Sequence, residues 1–243
     1  MTSQRSFASR LGKFNDGNTV LKGITAYTHG NILIQLSSLE QKGAAIVVFN
    51  QSATDTEKIL KGLQKERKYL AFKIKDENPE CIQCSMKAIE YNLKSEIGEK
   101  SPEYLKVYAI NKKIQPPSEK KQPPKEGESP KKDISKSEKS YQSLVGFGND
   151  VHTIITGLGA KYNPSNPNIT VVNFRGQLDK LVDLNSKITT AGDNYTAAVK
   201  NRDEAYNGME GISALIGSVK DYLAGLPGGR KNPGYVAYAA AVK

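Results

Sequence analysis

The stretch FRGQLDKLVDLNSKITTAGDNYTAAVKNRDEAYNGM, residues 174–209, decides the fold class. Along it Phe174, Leu178, Leu181, Asn185, Ile188, Gly192, Tyr195, Val199, Arg202, Tyr206 and Met209 follow one another at steps of four and three residues. That rhythm is the seam of a helix packed lengthwise against other helices, as in a bundle or coiled coil. The seam is imperfect: Asn185 and Arg202 place polar groups on it and Gly192 leaves a gap, which predicts loose or register-setting packing at those levels. Continued through Ile216 and Leu223, one helix would extend about 80 Å, longer than a domain accommodates without a bend.

Working outward, the same rhythm passes through Leu36, Leu39, Gly43, Ile46, Ala53, Leu60, Leu63 and Leu70, predicting a long helix over about 32–72 to match one over about 169–206. The segment Ala44 to Phe49, AAIVVF, is rich in β-branched residues, yet the rhythm crosses it unbroken and keeps it helical. First helices are expected at about 4–26 and 138–160. A third helix is expected from about 79, with Asn78 as its cap and Pro79 at its first position, and a counterpart over about 209–225 after Asn207-Gly208. Ser101-Pro102 and Asn232-Pro233 each place a capping residue before a proline and start a last short helix.

The two flanks of the chain repeat one another. Ser6, Ser9, Asn15, Asp16, Thr19 and Gly23 recur 134 positions later as Ser140, Ser143, Asn149, Asp150, Thr153 and Gly157. Gly98, Lys100, Pro102, Tyr104, Ala109 and Lys112 recur 131 positions later as Gly229, Lys231, Pro233, Tyr235, Ala240 and Lys243. Near-constant offsets at both ends read as a tandem duplication. Between the copies, IQPPSEKKQPPKEGESPKKDISKSEK (114–139) has too few large apolar side chains to offset the entropy of folding, and reads as a disordered tether. The expected organisation is all-α: helical repeat 1 over 1–113, a Lys/Pro/Glu linker over 114–139 and helical repeat 2 over 140–243. Each repeat is expected to form its own bundle around one long, coiled-coil-like helix.

Ser6-Phe7-Ala8-Ser9 with Phe14-Asn15-Asp16, Ser137-Glu138-Lys139-Ser140-Tyr141 and Tyr162-Asn163-Pro164-Ser165-Asn166 resemble a group of uncharacterised bacterial proteins built from two tandem helical repeats. The resemblance covers nearly the whole chain and implies that fold. The group has no assigned activity, so it transfers no functional residue.

Composition narrows function by exclusion. No apolar run approaches the roughly 20 residues that cross a bilayer, and the N-terminal residues MTSQRSFASR lack a signal-type apolar segment, so a soluble, cytoplasmic protein without membrane contact is expected. The formal charge is +10, and residues 1–113 carry 18 Lys and Arg against 12 Asp and Glu, most of that excess. A basic half can attract nucleic acid, but its lysines alternate with acids from Asp55 to Lys75, as on a solvated helix face.

Cys81-Ile82-Gln83-Cys84 is the one motif with metal or redox character, since a helix N-terminus lowers a thiol pKa. A structural zinc takes four ligands and the chain has two cysteines in all, so the reading preferred is two incidental thiols. His29 and His152 do not align between the copies and sit in no triad-like arrangement. Phosphate-loop, HExxH and EF-hand patterns are absent from the sequence, so neither catalysis nor a cofactor is expected. The recurring polar residues Asn15, Asp16, Asn149 and Asp150, and the equivalently placed Arg67 and Arg202, are candidate interaction residues, with contacts inside the bundles preferred to a partner site. The sequence thus points to a non-enzymatic structural or interaction protein with a protein partner or self-association. Nucleic-acid binding is the alternative and a CxxC metal or redox site the second alternative.

Overall fold

Helix length governs how this chain packs. The structure, a computed structural model, describes residues 4–24, 27–74, 77–114 and 140–243. These form α1 (Gln4–Lys22), α2 (Leu36–Ala71), α3 (Ile82–Glu96), α4 (Pro102–Ile114), α5 (Tyr141–Gly157), α6 (Val171–Asn207), α7 (Ile212–Gly225) and α8 (Pro233–Ala241). Short 3-10 turns at Ile32–Ile34 and Pro167–Ile169 lead into α2 and α6, and there is no strand among the described residues. The all-α expectation holds, and AAIVVF lies inside α2 as the rhythm requires. Residues 115–139, read above as the tether, fall outside the described residues.

At 36 and 37 residues, α2 and α6 are each about 54 Å long, roughly twice the length of any helix available to cover them. Each therefore contributes to two packed units. One unit comprises residues 1–60 with 190–243, and the other comprises 61–189. In the first, Phe7, Phe14, Leu39 and Ile46 share a core with Tyr206, Ile212, Val219, Leu223 and Tyr238. In the second, Ile82, Met86, Ile89 and Val107 share a core with Leu144, Val151, Phe174, Leu178 and Leu181. Both cores thus draw on residues from both sides of 115–139. The expected boundaries at 113 and 140 follow the sequence, whereas packing divides the chain inside α2 and α6. Periodicity identifies which face of a helix is buried; it carries no information on which helix covers that face.

Other departures have local causes. The expected cap of a helix at 79, Asn78, is occupied elsewhere. Its side-chain amide donates to the carbonyls of Tyr69 and Phe72 (2.7 Å for the latter), and its Oδ1 accepts from Ile74 N at 2.7 Å, so it closes the end of α2. Helix α3 starts three residues later, with Cys81 as its cap. The break after α6 is complete, and Gly208 is required there, because a Cβ at that position would lie 2.6 Å from the Glu204 carbonyl oxygen. Met209, expected on the seam, is fully exposed beyond the helix. Within α6 the buried stripe runs through Leu184, Ala191 and Ala198, each one residue before the expected Asn185, Gly192 and Val199.

Candidate functional site

Arg67 and Arg202 lie 135 positions apart and make the same kind of contact. The Arg67 guanidinium lies 3.8 Å from the centre of the Tyr141 ring and donates to Asn185 Oδ1 at 3.2 Å. The Arg202 guanidinium lies 4.2 Å from the centre of the Phe7 ring, buried within the other unit. Cations over aromatic faces are held by the ring quadrupole, so both arginines are spent on internal packing. The seam positions that looked like polar defects, Asn185 and Arg202, are the acceptor for Arg67 and the cation over Phe7.

Asn15, Asp16, Asn149 and Asp150 are all exposed, and Asn149 still accepts from Arg175 on the neighbouring α6. Thr19 and Thr153 donate to the Asn15 and Asn149 carbonyls at 3.1 and 2.9 Å, and Arg175 reaches Asn149 Oδ1 at 3.3 Å. Asn15 lines a cavity of about 320 Å³ between α1 and the start of α2, with Asn18, Thr19, Lys22, Glu40 and Gly43. Lys22 and Glu40 are paired there at 2.6 Å, and Asn18 is buried with its Oδ1 unpartnered. The lining offers hydrogen bonds and one satisfied ion pair, and no nucleophile with an adjacent base.

The cysteines are not incidental free thiols. Cys81 and Cys84 are joined as a disulfide, with Cα atoms 5.1 Å apart, inside the span such a bond bridges. Cys81 Sγ also caps α3, accepting from Cys84 N at 3.1 Å. A cavity of about 310 Å³ adjoins Cys81, lined by Glu66, Tyr69, Leu70, Glu77, Asn78, Pro79, Glu80 and Lys180, with Lys180 paired to Glu66 at 3.1 Å.

His29 Nδ1 accepts from Asn31 N at 2.7 Å, and its ring meets Tyr222 edge-on at 4.3 Å. His152 gives its carbonyl to Thr156. Among the described residues no group of three or more His, Cys, Asp or Glu converges on a metal position, and no helix is long and apolar enough to cross a membrane.

Sequence reasoning missed two features. Glu90 is buried in the second unit, where its carboxylate accepts from Asn111 Nδ2 at 2.8 Å and from Lys87 Nζ at 2.5 Å. The helical spacing of Met86, Glu90 and Leu93 on one face of α3 was the available signal. The second feature is a set of exposed apolar side chains at similar spacings on the two sides of residues 115–139. Leu105 on α4 and Val236 on α8, 131 residues apart, are 50% and 54% exposed, and Val47 on α2 and Val182 on α6, 135 apart, are 55% and 50% exposed. No known protein family, curated protein or solved structure matches the chain.

Proposed function

We propose that this is a non-enzymatic interaction protein, a tandem duplication of one helical repeat that presents apolar side chains to a protein partner or to a second copy of itself. The observation that carries the reading is the matched exposure of Leu105 with Val236 and of Val47 with Val182. A single exposed Leu or Val is ordinary on any surface; two pairs at equivalent places give both copies the same exposed apolar positions.

Several contacts support the duplication. Tyr27 donates to the Ile34 carbonyl and Tyr162 to the Ile169 carbonyl across the same seven-residue interval. Asn31 and Asn166 cap the 3-10 turns that follow. Phe14 packs beside Gly43, and 134 and 135 residues later Gly148 packs beside Leu178, so the large and small partners have exchanged places.

The nucleic-acid alternative rests on net charge. On the helix that carries the densest lysines, Lys58 faces Asp55 at 3.9 Å and Glu66 is paired with Lys180, which disperses the field that phosphate binding needs. The test is light scattering and cross-linking of the full chain beside a variant with Leu105→Lys and Val236→Lys. Loss of self-association, or of a captured partner, in a variant that keeps its helical spectrum supports the reading. Unchanged association in that variant, or DNA or RNA binding tighter than about micromolar at physiological salt, overturns it.

A further inference from the structure

We propose that Cys81 and Cys84 form a reversible thiol–disulfide exchange site, in which Cys84 is the sulfur attacked by an incoming thiol and Cys81 is the leaving and resolving thiolate. The proposal is independent of the partner surface above. A bridge between residues three apart closes a very short loop and restrains the unfolded chain less than a long-range bridge would, so stapling is the smaller part of what the bond can do. Its surroundings suit both redox states. Cys81 Sγ sits at the N-terminus of the 15-residue α3 and accepts from Cys84 N, where the unpaired N–H groups of the first turn favour a thiolate. Cys84 Sγ lies 3.7 Å from the Asn78 carbonyl, an acceptor for a Cys84 thiol. The Asn78 side chain, donating to the Tyr69 and Phe72 carbonyls and accepting from Ile74 N, anchors the residue that carries this carbonyl through groups that do not involve either sulfur.

Exposure and leaving-group stability set the order of events. Cys84 is partly exposed, whereas Cys81 is 1% exposed. A thiolate of a small dithiol attacks Cys84 Sγ; a mixed disulfide forms, the Cys81–Cys84 bond breaks, and its electron pair leaves on Cys81 Sγ. The reductant's second thiol gives up its proton and attacks the mixed disulfide. Cys84 then leaves as a thiolate and takes up a proton. The dithiol is oxidised to its disulfide, and the protein gains two electrons and, once both sulfurs are protonated, two protons. The better-stabilised sulfur leaves faster. Glu77 and Glu80 at the adjoining cavity oppose a thiolate on Cys81, so the short hydrogen bond from Cys84 N has to outweigh them.

The full chain is treated with reduced and then oxidised dithiothreitol without denaturant, and its thiols are alkylated and counted by mass. Two alkylated cysteines after reduction and none after reoxidation, with the helical spectrum unchanged, are expected. Cysteines that react only after denaturation, or stay free in the oxidant, overturn the proposal. With oxidised glutathione, Cys81→Ser is expected to accumulate a single adduct on Cys84 on the order of tenfold more than Cys84→Ser accumulates on Cys81. Equal or reversed trapping overturns the assignment of roles, and the unsubstituted chain still decides reversibility if either variant fails to fold.

Discussion

The guanidinium of Arg67 lies 3.8 Å from the centre of the Tyr141 ring, joining two residues 74 positions apart in the sequence. Arg202 over Phe7 makes the reverse connection in the other unit. Coupling across such a pair is about 0.5–2 kcal/mol. A double-mutant cycle of Arg67→Ala and Tyr141→Leu, followed by urea unfolding, is expected to show coupling in that range. Arg202 is the more buried of the two, and Arg202→Lys is expected not to rescue it, because an ammonium cannot lie flat on the Phe7 ring. Additive effects of Arg67→Ala and Tyr141→Leu would show that the contact contributes nothing.

Glu90 is a buried carboxylate with two partners, Asn111 and Lys87. Glu90→Ala leaves the Asn111 amide with only the Met86 carbonyl to bond, and strips Lys87 of its anion. Leaving a buried donor unsatisfied costs about 1–3 kcal/mol, which the unfolding midpoint will register. Glu99→Ala, which breaks the exposed Lys94–Glu99 pair, is expected to leave that midpoint in place. Equal losses in the two variants would argue against a special role for the buried network.

These two sites mark what the sequence could and could not disclose. The four-three rhythm located both long helices, and it kept AAIVVF helical against its β-branched content. Side-chain choice at the helix starts was legible where one residue had one task, as at Ser101-Pro102 and Asn232-Pro233, where α4 and α8 begin. At Asn78 the same logic failed because the side chain bonds backward to the end of α2. The sharing of each core between the two flanks was invisible, since Phe7 and Tyr206 lie 199 residues apart and no local pattern links them. Arg67 and Arg202 lie over the Tyr141 and Phe7 rings, while Asn15 and Asn149 are exposed, and a recurring polar residue looks alike in sequence whether it is buried or solvated.

Burial pushes the Tyr27 hydroxyl up to about 12, with the Tyr222 hydroxyl adding to the shift. Burial likewise raises Tyr162 and Tyr238. Tyr27 and Tyr162 donate to the Ile34 and Ile169 carbonyls, bonds that an ionised phenol cannot make. An unfolded chain loses these protons near pH 10, where the folded chain still holds them, so unfolding releases protons. The contribution to stability is therefore full below about pH 10 and is lost as pH rises through about 12. Ultraviolet titration should resolve an early group of tyrosines and a late group whose ionisation coincides with loss of the helical spectrum. A single transition near the ordinary value, with the fold intact, would contradict this.

The division of the cores predicts how a broken chain behaves. If the flanks were separate bundles, cutting between Ile114 and Ser140 would release two folded fragments. The observed cores require the opposite. In one unit Phe7, Phe14 and Leu39 are covered by residues of α6, α7 and α8, and in the other Ile82, Met86 and Val107 are covered by residues of α5 and α6. Pulling the fragments apart would expose both cores at once, at about 25 cal/mol for each Å² of apolar surface uncovered. A chain carrying an engineered protease site between those residues is therefore expected to elute as one species after complete cleavage and to come apart only in denaturant. Residues 1–114 expressed alone are expected not to form a folded monomer: either they stay unfolded, or two copies pair, each supplying the cover that the second flank gives in the intact chain. Two fragments that separate at low concentration and keep their helical spectra would show that each flank holds a core of its own.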